Sequence, residues 1–206
     1  MPANKFWDRF ANRYAKMPVA DEVAYQKKLQ ITREYLRPDM AVLEFGCGTG
    51  STAIAQAPHV EHIKAIDFSP KMLSIAKSKA DENKIANISF AQSSIEALDV
   101  PDHTYDVVMG HSILHLLKDK EVIISKVYDM LKPGGVFVTS TVCAGGKMHI
   151  LKVILPIGNV FGLLPFAKFF TPEELASSFV DAGFSIEHQW QPGENKAVFI
   201  VARKAA

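Results

Sequence analysis

The most informative ten residues of the chain are Ala41-Val42-Leu43-Glu44-Phe45-Gly46-Cys47-Gly48-Thr49-Gly50. The first five form a short, mostly apolar run, which is typical of a buried strand, and three glycines then alternate with other residues. Such glycines let the chain turn sharply and let a ligand approach the backbone amides. The pattern predicts a strand that ends in a nucleotide-binding turn.

An acidic residue follows at the end of the next predicted strand, residues 62–66. Asp67 closes that strand and lies 17 residues past Gly50. Across the crevice of a β-α-β unit, a carboxylate at this place accepts hydrogen bonds from ribose hydroxyls. The strand, the glycine turn and the acid therefore predict a site for a ligand that contains a ribose.

Two residues near the turn argue against a dinucleotide as that ligand. A pyrophosphate-binding loop needs glycine or alanine three residues after Gly48, and this chain has Ser51 there. The carboxylate of Glu44, directly before the glycines, would repel phosphates but favours an ammonium group. A ligand with a ribose and an amino acid but no diphosphate is S-adenosylmethionine. We therefore expect this methyl donor rather than a nicotinamide cofactor.

Strand and helix patterns alternate along the rest of the chain. Ser69 and Pro70 are typical of an N-cap and a first helical residue, and Thr171 with Glu174 predicts a capping box. Alternation at this spacing predicts a parallel sheet in an α/β domain. Helical patterns cover 4–36, 51–57, 69–80, 119–131 and 171–183, and further strand patterns cover 88–91, 105–109, 136–141 and a hairpin of 184–190 with 196–202.

Composition excludes several classes of protein. The 206 residues, 48% hydrophobic and 22% charged, fit one globular domain over residues 1–206. Lys and Arg number 23 against 22 Asp and Glu, so nothing predicts a protein that neutralises many phosphates of a nucleic acid. Two cysteines allow no disulfide framework, and the first residues lack the apolar core of a secretory signal. We expect a cytoplasmic protein.

Five stretches together resemble the class I S-adenosylmethionine-dependent methyltransferases. Residues 42–50 resemble the cofactor loop of that family, and residues 65–73 resemble its ribose-binding strand end. Residues 92–98 resemble the segment that holds the adenine amino group. Residues 106–115 resemble the strand beside the methionine part of the cofactor, and residues 131–135 resemble the turn before the fifth strand.

The resemblance, which spans about residues 42–184, implies a fold and a set of cofactor contacts. The implied fold is a Rossmann-like three-layer sandwich whose seven-stranded sheet is mostly parallel, with an antiparallel last strand. Helices within residues 1–40 would form a lid, and Ser93 stands where the family often carries Asp. The expected cofactor-binding residues are Glu44, Gly46, Cys47, Gly48, Gly50, Asp67, Phe68, Met72, Ser93, Ser94, Ile95, Gly110 and His111, with Phe68 and Met72 flanking the adenine.

Methyl transfer needs few catalytic groups, because the sulfonium already activates the methyl group and the protein chiefly orients the acceptor and excludes water. A hydroxyl or carbon acid must also lose a proton, and the candidate bases are His111, His115 and Tyr14. In a helix the two histidines would share a face. The alternative for His115 is a packing histidine. The alternatives for Tyr14 are closing over the cofactor and packing against Phe10.

A long apolar connection, residues 142–170, interrupts the regular alternation. It holds 18 residues of the hydrophobic set and three charges, Lys147, Lys152 and Lys168. Its uncharged part, residues 153–167, would measure about 22 Å as a helix against a hydrocarbon core of about 30 Å, so it does not predict a membrane span. We expect an apolar cap over the acceptor site. Peripheral membrane contact and a dimer contact are the alternatives.

The sequence thus predicts methyl transfer from S-adenosylmethionine to a small hydrophobic or aromatic acceptor, such as a quinone precursor or a lipid. We expect no metal ion. We also expect no nucleic-acid acceptor, since residues 110–113 lack the Asn/Asp-Pro-Pro-aromatic run of methyltransferases that modify bases. The oligomeric state stays open between monomer and homodimer. Two other functions stay open: a donor-binding scaffold without turnover, and a nicotinamide-dependent oxidoreductase, which Glu44 and Ser51 disfavour.

Overall fold

The computed structural model describes residues 3–143, 167–194 and 196–206. Residues 144–166, which make up most of the predicted apolar cap, lie outside the described residues. Helices and strands alternate in the predicted order. The helices are α1 (Ala3–Lys16), α2 (Glu22–Arg33), α3 (Ser51–Gln56), α4 (Pro70–Glu82), α5 (Lys120–Met130) and α6 (Pro172–Asp181), and the strands are β1 (Ala41–Phe45), β2 (His62–Asp67), β3 (Ile88–Gln92), β4 (Tyr105–His111), β5 (Leu131–Val142), β6 (Phe184–Trp190) and β7 (Ala197–Lys204).

The strands form one seven-stranded sheet in the order β3-β2-β1-β4-β5-β7-β6. β7 runs antiparallel to β5 and β6, and the other neighbouring pairs are parallel. The predicted sheet is confirmed. In open parallel sheets a ligand binds at the carboxyl ends of the strands, where the strand order reverses. Here that point lies between β1 and β4.

Apolar side chains cover both faces of the sheet. On one face, Phe137 packs against Phe179 of α6, with ring centroids 5.2 Å apart, and buried residues of α5 join them. On the other face, Met109 and Phe199 pack with Ala53 of α3 and Leu73 of α4. Helices therefore lie on both sides of the sheet, which is the predicted three-layer sandwich.

The helix starts follow the local signals of the sequence. Ser69 Oγ accepts a hydrogen bond from Met72 N at 3.2 Å, so it caps α4 as predicted. Thr171 and Glu174 form the predicted capping box of α6, with Thr171 Oγ1 accepting from Glu174 N at 3.2 Å. Among the described residues, no helix is both long and apolar enough to cross a membrane.

Two local predictions are wrong. β5 begins at Leu131 rather than at residue 136, because Leu131 already pairs with Tyr105. The register of the β4–β5 pair then shifts between Tyr105 and Val107, so the predicted turn before residue 136 lies within the strand. The helical face shared by His111 and His115 does not exist. β4 continues through His111, Ser112 then has a positive φ of 54°, and His115 lies in a single 3₁₀ turn at Leu114–Leu116.

Candidate functional site

The glycine turn and Asp67 form one hydrogen-bonded unit. Asp67 is 7% exposed; its Oδ2 accepts from Gly48 N at 2.9 Å, and its Oδ1 accepts from Ser69 N at 2.8 Å. Burial raises the pKa of Asp67, and these backbone hydrogen bonds lower it. The carboxylate therefore holds the turn after β1 against the turn after β2.

The three glycines of the turn serve different purposes. A Cβ added at Gly46 would lie 2.9 Å from the side chain of Ile113, and one added at Gly50 would lie 2.9 Å from Ala76 Cβ. Glycine at these two positions therefore lets the turn pack closely against both side chains. At Gly48, with φ of 53°, the nearest atom to an added Cβ is Tyr14 Cε1 at 3.9 Å. Gly48 is thus the glycine of the three that leaves open space for a ligand.

Glu44, the last but one residue of β1, carries a carboxyl group that is only partly hydrogen-bonded. It is 3% exposed, and its Oε2 has no hydrogen-bond partner among the described residues. Burial raises its pKa to about 8, although a hydrogen bond from the Ala53 backbone opposes the shift. A buried, unpartnered carboxyl oxygen of this kind favours a cationic or hydrogen-bond-donating ligand.

The residues expected around an adenine lie on the turn after β2, in the first turn of α4 and on the turn after β3. Met72 and Ile95 are 2% and 3% exposed, so each offers an apolar side chain with little access to water. Gln92 Nε2 donates to Phe68 O at 3.2 Å, and Ser93 N donates to Asp67 O at 3.1 Å. These hydrogen bonds join the two turns into one wall beside Asp67.

The N-terminal helices contribute three residues to the same region. Asp8 of α1 accepts from Ser69 Oγ at 2.6 Å, which docks α1 on the turn after β2. The pKa of Tyr14 is raised by burial, then by Asp67 and Glu44. The pKa of Tyr25 on α2 is also raised by burial, with a further contribution from Glu44. The sequence analysis did not predict Asp8 and Tyr25 as site residues. The one signal for them was their position in the predicted lid helices.

The carboxyl ends of β4 and β5 hold a second group of side chains. A Cβ at Gly110 would lie 2.5 Å from Phe45 Cζ, so the close approach of β4 to this ring requires glycine. Half-buried His111 follows, and burial together with the charge of Lys28 lowers its pKa to about 4. Its imidazole is therefore neutral at neutral pH. The Nδ1 of half-buried His115 has no partner among the described residues.

A family model that describes a methyltransferase domain matches residues 36–171, which is more than half of the chain. The chain belongs to the class I S-adenosylmethionine-dependent methyltransferases. The predicted family and fold are therefore confirmed, and the nicotinamide-dependent alternative loses its basis.

Known relatives match this chain over part of its length. It is 31% identical over 109 residues to the uncharacterized methyltransferase YcgJ of Bacillus subtilis strain 168, covering 53% of this chain and 43% of that one. It is 30% identical over 139 residues to the ubiquinone biosynthesis O-methyltransferase of Coxiella burnetii strain RSA 331, covering 65% and 58%. The chain thus spans about half the length of these relatives. A crystal structure of YcgJ matches the fold with a TM-score of 0.73 at 18% identity, over 88% of this chain and 99% of that one.

Cys47, in the glycine turn, lies in an apolar cluster and is 8% exposed. Burial raises the pKa of its thiol, which therefore stays protonated. The described residues contain no group of three His, Cys, Asp or Glu side chains placed to bind a metal ion. A surface cleft of about 550 Å³ is lined by residues such as Lys120, Phe170 and Glu174, and it contains none of the predicted site residues.

Proposed function

We propose that this chain transfers a methyl group from S-adenosylmethionine to a small apolar acceptor at the carboxyl ends of β1, β2, β4 and β5. The observation that carries the proposal is the buried Oε2 of Glu44 near the end of β1, which has no hydrogen-bond partner among the described residues; Gly48, in the turn that follows, leaves open space for a ligand. A pyrophosphate brought to this carboxyl would meet a negative charge or a neutral acid. The ammonium group of an amino acid would instead supply the missing partner.

The proposed donor contacts are those that the resemblance to the family implies, and the positions of Asp67 and Glu44 support them. Asp67 faces the ribose hydroxyls, Glu44 binds the ammonium group, and the apolar side chains of Phe68, Met72 and Ile95 pack against the adenine. The bound donor supplies a methyl group that is already activated by its sulfonium. The remaining contacts in this proposal come from the backbone of Gly46, Cys47, Gly48 and Gly50 and from Ser93, Ser94, Gly110 and His111.

The chain itself orients the acceptor and excludes water. Helices α1 and α2, within residues 1–40, act as a lid, since Asp8 fixes α1 to Ser69 and Tyr14 stands over Gly48. An acceptor lone pair forms the new bond to the methyl carbon as the sulfur–carbon bond breaks and its electrons pass to sulfur. Placing these atoms in line in a dry site supplies most of the rate enhancement.

The three candidate bases differ in what they offer an acceptor. The raised pKa of Tyr14 keeps its phenol protonated at neutral pH, so it donates a hydrogen bond until a partner lowers that pKa. His111 and His115 are neutral, because burial lowers the pKa of both, and each has a nitrogen that accepts a proton. His111 follows Gly110 at the end of β4, so it is the base that we place nearest the acceptor.

An apolar acceptor is supported by two features. The connection 142–170 is rich in apolar residues, and one relative is named for O-methylation in ubiquinone biosynthesis. A screen for methyl transfer tests the proposal, with quinone precursors, phenols, fatty acids, phospholipids and amines as acceptors and formation of S-adenosylhomocysteine as the measurement. Activity with an apolar member that is lost in Asp67→Ala supports it. Tight donor binding without turnover on any class favours the scaffold, and no donor binding at all refutes both.

A further inference from the structure

Lys28 on α2 is a half-buried cation at the carboxyl end of β5. Its Nζ donates to Ser140 Oγ at 2.7 Å, and Ser140 itself is 4% exposed. Ser140 pairs with His111 across β4 and β5, so the two side chains point to the same face of the sheet. Lys28, Ser140 and His111 therefore form one cluster, which no pattern in the sequence predicts.

The chain offers this cation no carboxylate as a direct partner. The ion pairs found among the described residues involve other side chains, and residues 1–2, 144–166 and 195 contain no Asp or Glu. Burial lowers the pKa of Lys28, and the charge of Asp21 opposes the shift. A partly desolvated ammonium group beside a neutral hydroxyl and a neutral imidazole favours an anionic ligand.

The position of Lys28 assigns that ligand to the acceptor side. Glu44 and Asp67 end β1 and β2, whereas Lys28 contacts β5, two strands away from β1. With neighbouring strands about 4.8 Å apart, this separation is about 10 Å. The charge of Lys28 lowers the pKa of His111, whereas the charge of Asp67 raises the pKa of Glu44, so the two groups have different charged neighbours.

We infer that Lys28, held by Ser140 beside His111, binds an ionised oxygen of the methyl acceptor. The acceptor is then an apolar molecule that carries a carboxylate or an acidic hydroxyl, rather than a neutral lipid or an amine. This inference rests on the proposed function and narrows its substrate class. It also changes the role of His111, which as a neutral imidazole donates a hydrogen bond to the same oxygen instead of accepting a proton from it.

The first arm of the test separates donor from acceptor. Calorimetry measures binding of S-adenosylhomocysteine and of 5′-methylthioadenosine, which lacks the amino acid, to the wild type, Lys28→Met and Lys27→Met. Lys27 is the matched control, because it lies over the Trp190 ring at 4.2 Å. We expect all affinities to stay within about twofold. A tenfold loss for S-adenosylhomocysteine alone in Lys28→Met would assign Lys28 to the donor carboxylate and overturn the inference.

The second arm measures anion preference in protein saturated with S-adenosylhomocysteine. The probes are two matched pairs, 4-nitrophenolate with 4-nitroanisole and 3-phenylpropionate with 3-phenylpropionamide, so phenolate and carboxylate are distinguished. We expect at least one anion to bind about tenfold tighter than its neutral partner. The preference should vanish in Lys28→Met, survive in Lys27→Met and persist in part in Lys28→Arg.

Three outcomes of the second arm contradict the inference: no anion preference, a preference that survives Lys28→Met, and no binding of any probe to protein that does bind S-adenosylhomocysteine. If Lys28→Met does not fold, Ser140→Ala replaces it, since that variant keeps the ammonium group but removes its anchor and should reduce the preference about threefold. Failure to bind S-adenosylhomocysteine in the wild type is a different result, because it refutes the proposed function itself.

Discussion

The carboxyl edge of the sheet has two halves of opposite charge. The ends of β1 and β2 carry Glu44 and Asp67, with Asp8 of α1 close by, whereas the ends of β4 and β5 carry His111 and the cation Lys28. Two unit charges about 10 Å apart interact by only about 1.7 kcal/mol at an effective dielectric constant of 20. The halves are therefore coupled less than half as strongly as an adjacent ion pair, for which the same dielectric constant gives about 4 kcal/mol at 4 Å, and one can recognise a cationic donor while the other recognises an anionic acceptor.

The largest expected effect comes from the acidic half. Asp67→Ala removes the carboxylate that accepts from Gly48 N and Ser69 N, so both turns lose their shared anchor along with the ribose contact. We expect S-adenosylhomocysteine to bind about 100-fold more weakly, or about 2.7 kcal/mol, the range of one or two charged hydrogen bonds. Calorimetry measures the loss, with Asp81→Ala on the exposed face of α4 as control. Unchanged affinity in a folded Asp67→Ala protein would contradict the assignment of the donor site to the acidic half.

Much of the acidic half could be predicted from the sequence because its signals are local. The glycine turn follows β1 directly, Asp67 ends the next strand, and Ser69 caps the helix that follows it. Each of these patterns spans few residues and repeats a known strand-to-helix geometry. The order of helices and strands along the chain and the position of the donor turn follow from the same patterns, whereas the seven-stranded sheet with an antiparallel last strand was implied by the resemblance to the family.

The basic half could not be predicted in this way. Lys28 and Ser140 are 112 residues apart in the chain, and Asp8 and Ser69 are 61 apart. Such contacts depend on how the N-terminal helices dock on the sheet, and no periodicity or spacing in one sequence encodes that docking. The wrong prediction of a helical face for His111 and His115 has a similar origin, because pairing with β5 extends β4 through His111.

The second prediction concerns proton release from Glu44. With a pKa of about 8, about nine tenths of this carboxyl is protonated at pH 7. Binding of an ammonium group ionises it, so S-adenosylhomocysteine binding should release close to one proton. Calorimetry in buffers of different ionisation enthalpy counts that proton. Glu44→Gln should release none from this site and bind about tenfold more weakly, whereas Glu61→Gln, at an exposed position, should behave as the wild type. No release in the wild type would contradict the ammonium assignment.

The third prediction uses the same carboxyl without ligand. Its folded pKa of about 8 lies above its ordinary value of 4.5, so the folded protein loses stability as pH rises from about 4.5 to about 8. Thermal unfolding from pH 5 to pH 8 should therefore show a flatter pH dependence for Glu44→Gln than for the wild type, with a higher melting temperature at pH 8. Parallel curves for the two proteins would mean that Glu44 is ionised in the folded state.

The fourth prediction examines the basic half by NMR of the histidine rings. Burial is the larger cause of the low pKa of His111 and the charge of Lys28 is the smaller one. Lys28→Met should therefore raise this pKa from about 4 part of the way towards 6.5, and Lys27→Met should leave it unchanged. Because the folded pKa of His111 lies below its ordinary value, the folded protein loses stability as pH falls from 6.5 towards 4. Lys28→Met should narrow this pH range, since it raises the folded pKa. An unchanged pKa of His111 in Lys28→Met would show that the charge of Lys28 does not act on this imidazole.

The smallest effect is expected where α1 meets the acidic half. Asp8→Ala removes the hydrogen bond from Ser69 Oγ, which costs about 1 kcal/mol, while Ser69 keeps its capping bond to Met72 N and α4 stays intact. Amide exchange in α1 should become faster, and S-adenosylhomocysteine should bind about threefold more weakly. Since Asp8 also raises the pKa of Asp67, that pKa should fall. Asp8→Asn keeps an acceptor oxygen without the charge, so it should preserve the exchange rates of α1 and still lower the pKa of Asp67. Equal exchange in all three proteins would show that other contacts between α1 and α4, and not Asp8, hold α1 in place.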